Sequence, residues 1–143
     1  MLLPTGLWLE LNLMKLKVNN KLLPSIWTVL VFYLLSFDTS SASDSEIWKL
    51  PGIDKLIHIF IFLIFAYLWG MFFFQNTHFD ERTVIFFLII LGSGYGMGME
   101  YYQKFFTNRN FSYWDGVADA VGTIIGAWLV KKSPYGHRGR NQN

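Results

Sequence analysis

Four stretches of the chain are apolar over most of their length, and polar connectors separate them. They cover approximately residues 22–37, 56–74, 83–99 and 114–130. A helix needs about 17–25 apolar residues to cross the hydrocarbon core of a bilayer, and each stretch is roughly that long, although the first and last are short. The pattern therefore predicts an all-α protein built as a bundle of four transmembrane helices.

The two ends of the chain are basic and set the predicted orientation. We expect an N-terminal basic and partly amphipathic segment at 1–21, a membrane domain at 22–130 and a disordered tail at 131–143. Four crossings put both termini on one side, and an excess of lysine and arginine marks that side as cytoplasmic. The true start is open between Met1 and Met14. A cleaved signal peptide is the less favoured alternative, because no clear A-x-A site follows the first stretch.

Composition supports a membrane protein and excludes several chemistries. The 143 residues suffice for one domain, and the chain is 52% hydrophobic with only 15% charged residues, more apolar and less charged than a soluble domain. Because cysteine is absent, disulfides, thiolate metal sites and cysteine nucleophiles are excluded. The basic clusters lack the interleaved aromatic residues of a nucleic-acid surface, so nucleic acid is not an expected partner.

Under this topology, polar residues collect in one layer at the outward ends of the helices. Asp54 and His58 are four residues apart, as are Asp115 and Asp119, so each pair shares a helix face. Ionisable groups in lipid must face one another or a water-filled recess. We therefore predict a polar pocket that opens outward. The layer comprises Asp54, Lys55, His58, Glu100, Gln103, Arg109, Asp115 and Asp119.

Several members of the layer also have a purely structural explanation. Asp54 and Asp115 stand at helix starts, where a carboxylate can cap free N–H groups. Lys55 can extend its ammonium to the headgroups, and His58 can be an ordinary hydrogen-bonded buried histidine. These alternatives stay open. Glu100 and Asp119, which are nearest to hydrocarbon, favour a functional role.

Small residues form rows on the third and fourth predicted helices. Gly92 and Gly96 lie in line with Glu100, and Ala118, Gly122 and Gly126 form a similar row. Such rows let membrane helices approach closely. We expect the third and fourth helices to pack along them, and the same rows permit a homo-oligomer.

Three motifs resemble a known family. "DKLIH" at 54–58, "EYYQKFFTNR" at 100–109 and "DGVADAVG" at 115–122 are similar to the signatures of the VanZ-like family, which are small multi-pass membrane proteins of bacteria. Asp119 departs from the pattern, since the family usually has asparagine there. The resemblance covers residues 53–127 and implies a place in the cytoplasmic (inner) membrane, a role in the cell envelope and a link to resistance to the glycopeptide teicoplanin. It implies no established reaction.

Three functions compete at this stage. In the first, the pocket binds a lipid headgroup or lipid-linked envelope precursor, with Lys55 and Arg109 on phosphate and Gln103 and Asp115 shaping the site. In the second, the protein is a membrane enzyme that hydrolyses or transfers a lipid phosphate. The catalytic candidates are then His58 oriented by Asp54, with Glu100 or Asp119 as a second acid or base.

The third function is that of a small oligomeric transporter, because carboxylates within the membrane are common in proton-coupled proteins. No cofactor and no metal is expected, because the layer has a single histidine and the chain has no cysteine. A metal held by His58 and carboxylates is the weaker alternative. The sequence alone does not decide whether the protein is an enzyme.

Overall fold

The structure is a computed structural model that describes residues 21–36, 52–107 and 110–136. Within these ranges the chain is helical and contains no strand, so the predicted all-α class with four helices is confirmed. The helices are α1 (Leu22–Ser36), α2 (Ile53–Asn76), α3 (Glu81–Phe106) and α4 (Tyr113–Lys132). The predicted N-terminal segment, apart from Lys21, and the tail beyond residue 136 lie outside the described residues.

The boundary of α3 differs most from the prediction. The third apolar stretch ends near residue 99, but α3 continues to Phe106, so the helix extends beyond the apolar stretch. No glycine or proline interrupts residues 100–106, and a drop in hydropathy does not by itself stop a helix. The extension places Glu100 and Gln103 on a regular helix, where both side chains are buried.

Side-chain caps define the starts of α3 and α4. Asp80 precedes α3 and accepts hydrogen bonds from the N–H groups of Arg82 and Thr83 and from the Thr83 hydroxyl. These donors hold the pKa of Asp80 below its ordinary value. Ser112 caps α4 by accepting from the N–H of Asp115 at 3.3 Å. Asp115 is therefore not the N-cap residue of α4, and its carboxylate is available for other contacts.

The described helices share two apolar clusters. The first cluster joins α1, α2 and α3 and comprises Val31, Leu35, Ile61, Phe62, Phe65 and Met99. The second joins α2, α3 and α4 and comprises Met71, Phe74, Val84, Leu88, Ala127 and Val130. The contacts of α4 with α2 are more extensive than those of any other helix pair. The three helices that carry the predicted polar layer are thus packed together along their length.

Hydrogen bonds across helices hold α1 against this unit. The Trp27 indole N–H donates to the carbonyl of Ile61 at 3.2 Å. The Tyr95 hydroxyl donates to the carbonyl of Thr28 at 2.8 Å, and the Trp69 indole donates to the Thr28 hydroxyl at 3.0 Å. Because α1 is only 15 residues long, such side-chain bonds fix its register against α2 and α3.

The two rows of small residues do not face each other. Gly92 and Gly96 face α4 as predicted, because a Cβ there would overlap the side chains of Thr123 and Asp119. Gly122 and Gly126, in contrast, face the backbone carbonyls of α2 at residues 59 and 63. The prediction that the α4 row packs on α3 is therefore wrong. A row of small residues identifies the face that can be approached, but it does not identify the helix that approaches.

Two of the described helices, α2 and α3, are long and apolar enough to cross a membrane. The α1 helix is apolar but shorter. The described part of the chain therefore has helices of the kind found in membrane-associated proteins. The polar layer of the sequence analysis lies at one end of the two helices that could span a membrane.

Candidate functional site

The predicted polar layer forms one cluster where α2 begins, α3 ends and α4 begins. His58, Glu100, Gln103, Asp115 and Asp119 are all buried there. Asp54 and Lys55 lie at the rim, with side chains 40% and 44% exposed. Arg109, the remaining predicted site residue, lies outside the described residues. The structure therefore brings together residues that are distant in the chain, such as His58 and Asp119, which are 61 positions apart.

The shortest contact within the cluster joins His58 to Asp119. The Nδ1 atom of His58 donates a hydrogen bond to Oδ1 of Asp119 at 2.8 Å, and both side chains are only 1% exposed. Asp54 does not orient the imidazole as predicted, because its Oδ1 is 3.9 Å from His58 Nε2, too far for a hydrogen bond. Asp119 takes that role.

Close backbone approach accommodates the Asp119 carboxylate. Its Oδ2 lies against Gly96 of α3, where a Cβ would overlap the carboxylate. Oδ2 is buried and has no hydrogen-bond partner among the residues that the structure describes. The Thr123 hydroxyl donates to the Asp119 backbone carbonyl at 2.8 Å. Gly96 thus allows a carboxylate to reach His58 from a third helix.

The opposite ring nitrogen of His58 faces the rim of the cluster. Nε2 is buried and, within the described ranges, has no hydrogen-bond partner. Oδ1 of Asp115 is also buried and has no hydrogen-bond partner among the described residues, although it forms an ion pair with Lys55 Nζ at 3.5 Å. One donor atom each from Asp54, His58 and Asp115 can be chosen so that all lie within 4.8 Å of one another. These three residues therefore form a compact group of oxygen and nitrogen donors.

Glu100 and Gln103 anchor the surrounding backbone. Oε2 of Glu100 accepts a hydrogen bond from the N–H of Ser112 at 2.8 Å, which holds the loop before α4. The amide of Gln103 donates to the carbonyl of Leu35 at 2.7 Å and joins α3 to the end of α1. Glu100 also belongs with His58 and Asp119 to a second group of donors within 4.8 Å. Its contacts support a structural role and leave the catalytic role proposed from the sequence untested.

Among the residues that the structure describes, the cluster contains more acidic groups than basic ones. Three buried carboxylates, those of Glu100, Asp115 and Asp119, surround one imidazole, and Lys55 reaches only Asp115 among them. Burying an uncompensated charge costs several kcal/mol. Within the described part of the chain, Lys55 and His58 are too few to balance these carboxylates, and a proton or a bound cation would do so.

Sequence reasoning missed Ser112, which both caps α4 and donates its N–H to Glu100. A signal for it was present, because Ser112 and Asp115 match the S-x-x-D pattern of a helix start. The contact between Gly96 and the Asp119 carboxylate carries no such local signal, because it forms between α3 and α4.

Comparison with protein-family models, with curated proteins and with solved structures found no match to the chain. The resemblance to the VanZ-like family consequently rests on the three sequence motifs alone.

Proposed function

We propose that the protein is a VanZ-like integral membrane protein of the bacterial cell envelope that binds the phosphate of a lipid headgroup or of a lipid-linked envelope precursor. The observation that carries the proposal is the convergence of the signature residues of three helices in one charged cluster. The motif resemblance adds a link to glycopeptide resistance. A phosphate is the expected group on the lipid because Lys55 and Arg109 are the cationic residues of the signature, and both side chains can bind it.

The outer surface of the helices supports a membrane location with four crossings. Large apolar side chains are exposed on every helix, including Val29 of α1, Phe60 of α2, Ile90 of α3 and Ile124 of α4. Exposed apolar surface of this extent marks contact with lipid or with another protein. With four crossings in the inner membrane and the basic termini in the cytoplasm, the cluster lies at the outward face.

Lys55 is the group best placed to meet a phosphate. Its side chain is 44% exposed while its ion-pair partner Asp115 is only 5% exposed, so the ammonium can reach the outside without leaving the cluster. In this arrangement Asp115 fixes the position of the ammonium. Arginine at position 109 follows the end of α3 in sequence and would supply the second cation.

The test measures retention of phosphatidic acid and of uncharged diacylglycerol by the purified protein with native mass spectrometry. We expect wild type to prefer phosphatidic acid and Lys55→Ala to lose roughly tenfold in affinity, which is about 1.4 kcal/mol. Lys104→Ala is the matched control. Lys104 is exposed near the end of α3 that borders the cluster, and it has no ion pair within the described residues. Equal retention by Lys55→Ala and Lys104→Ala would contradict the proposal.

The loss of Lys55 also leaves Asp115 without its ion-pair partner, which could weaken binding by disturbing the fold. The double variant Lys55→Ala/Asp115→Asn separates the two causes, because it removes both charges. If the ammonium contacts phosphate, the double variant binds as weakly as Lys55→Ala. If binding returns in the double variant, the proposed contact is wrong.

A second candidate is a membrane enzyme that hydrolyses or transfers a lipid phosphate. The observation that favours it is the hydrogen bond from His58 Nδ1 to Asp119, which leaves Nε2 as a basic nitrogen oriented toward the rim. A histidine held in this way by a carboxylate has the geometry of a general base. Release of phosphate from phosphatidic acid by wild type and its loss in His58→Gln would support catalysis. No turnover by folded wild type would exclude it for this substrate.

A further inference from the structure

We propose that His58, Asp54 and Asp115 form a binding site for one divalent transition-metal ion, Zn²⁺ or Mn²⁺, and that Asp119 is the positioning residue for the imidazole. The proposal does not depend on lipid binding. The donor groups of the site lie at the rim of the cluster, where α2 and α4 both begin.

The first support is the separation of the donor atoms. His58 Nε2 and Asp54 Oδ1 are 3.9 Å apart, and Asp54, His58 and Asp115 each offer a donor atom such that the three atoms lie within 4.8 Å of one another. Metal–ligand bonds of about 2.0–2.2 Å place two donors of one ion at most about 4.4 Å apart. The set therefore needs only small side-chain movements to close on one ion.

The second support is the state of two buried polar atoms. His58 Nε2 and Asp115 Oδ1 are both buried, and in the described part of the chain neither has a hydrogen-bond partner. Leaving a buried polar atom unsatisfied costs about 1–3 kcal/mol. The two atoms belong to residues of the same donor group, and Asp115 Oδ1 has only the Lys55 ammonium near it, at 3.5 Å. A single cation bound between the two residues would satisfy both atoms.

The third support is the tautomer that Asp119 imposes. Because the carboxylate accepts a hydrogen bond from Nδ1 at 2.8 Å, the proton of a neutral imidazole lies on Nδ1 and the lone pair lies on Nε2. Metal-binding histidines have this arrangement, in which the distant nitrogen donates to a carboxylate and the near nitrogen binds the ion. The same hydrogen bond sets the direction of Nε2.

Charge and donor type limit the identity of the ion. Asp54 and Asp115 contribute two carboxylates, and Lys55, at 3.5 Å from Asp115 Oδ1, offsets one of them. An imidazole with two carboxylates and no thiolate suits Zn²⁺ or Mn²⁺. Three protein ligands leave a position for water or an anion, and the partly exposed Asp54 side chain gives that position access to the outside.

The test is calorimetric titration of the full chain, purified in detergent, freed of affinity tag and stripped with chelator, using Zn²⁺ and then Mn²⁺ alone as probes. We expect one ion per chain. Asp54→Asn and Asp115→Asn should each weaken binding at least tenfold. Asp119→Asn should weaken it roughly 10–100-fold through the imidazole while leaving the stoichiometry at one. His78→Ala is the matched control, since His78 is exposed in the loop between α2 and α3, and it should bind as wild type.

Asp54→Asn keeps the test decisive if a buried variant fails to fold, because Asp54 is at the rim. Absence of binding by folded wild type would overturn the proposal, as would unchanged affinity in both Asp54→Asn and Asp115→Asn. Loss of binding in Glu100→Gln with retention in Asp115→Asn would also overturn it, because the ion would then occupy the inner group of Glu100, His58 and Asp119.

Discussion

The two ends of the α2, α3 and α4 unit are held together by different forces. At one end, the charged end, the buried ionisable groups of the candidate site contact one another, with His58 and Asp119 at the centre. At the opposite end the interior is apolar, and the cluster around Leu88 and Val130 fills it. The only ion pair described at that end, between Lys131 and Glu81, is partly exposed to its surroundings, with side chains 45% and 29% exposed.

This difference separates stability from function. An apolar cluster needs only volume and shape, and it tolerates substitutions of similar size. A buried charged cluster is stable only while each partner is present. If one partner is removed, the remaining charge stays buried without solvation by water. A bundle that needed only to stay folded could use the apolar solution at both ends. The charged end is therefore the part of the molecule where a function is expected.

The largest effect should follow the loss of His58. His58→Ala removes the hydrogen-bond partner of the buried Asp119 carboxylate, and breaking such a pair costs about 3–5 kcal/mol. Asp119→Asn should cost much less, because the amide oxygen can still accept from Nδ1. Unfolding in detergent by heat or by denaturing surfactant measures both.

A double variant tests whether the cost comes from charge. His58→Ala/Asp119→Asn lacks the uncompensated carboxylate and should be more stable than His58→Ala alone. If His58→Ala unfolds like wild type, the pair does not hold the charged end together, and the contrast between the two ends fails.

A smaller effect should follow when a methyl group is added at the apolar end. A Cβ at Gly70 would lie 2.5 Å from a methyl carbon of Val130, and overpacking costs about 1–3 kcal/mol. Because the obstacle is a side chain, Val130→Ala should restore part of the stability of Gly70→Ala.

The matched variant near the charged end is Gly122→Ala, where the obstacle is the backbone of Ile59 and no single side-chain substitution can relieve it. Gly94→Ala is the control, because a Cβ there meets nothing within 4 Å. It should be neutral or stabilising by up to about 1 kcal/mol, the helix preference of alanine over glycine. Equal destabilisation by Gly94→Ala and Gly70→Ala would show that the glycine contacts are not the cause.

Much of the fold could be predicted from the apolar stretches. All four helices occur where the stretches indicated, because apolar runs of this length are longer than typical strands and favour helices. The apolar stretch does not predict the last residue of α3, because the helix continues through the polar residues Glu100 and Gln103. Their hydrogen bonds to Ser112 and to the Leu35 carbonyl are what make burial of that helical end tolerable.

For the site, spacing along a helix identified the residues but not their partners. Residues three and four apart share a helix face, and this rule predicts that His58 lies beside Asp54. The structure agrees, since His58 Nε2 and Asp54 Oδ1 are 3.9 Å apart. The shorter contact, to Asp119, crosses 61 positions. Such pairing depends on how the helices rotate against each other, and Gly96 and Gly122 set that rotation through contacts that local sequence does not reveal.

The smallest effect is expected for the exposed ion pair at the apolar end. Lys131 Nζ lies 2.7 Å from Glu81 Oε1, but exposed pairs typically contribute only about 0.2–1 kcal/mol. A double-mutant cycle of Lys131→Met and Glu81→Gln should give a coupling energy in that range. The coupling should decrease in 1 M salt, where the Debye length falls to about 3 Å. The cycle of His58 and Asp119 should give a larger coupling that salt does not reduce, because that pair is buried. If the two cycles give equal couplings, burial does not distinguish the charged end, and the reason for assigning function to it is lost.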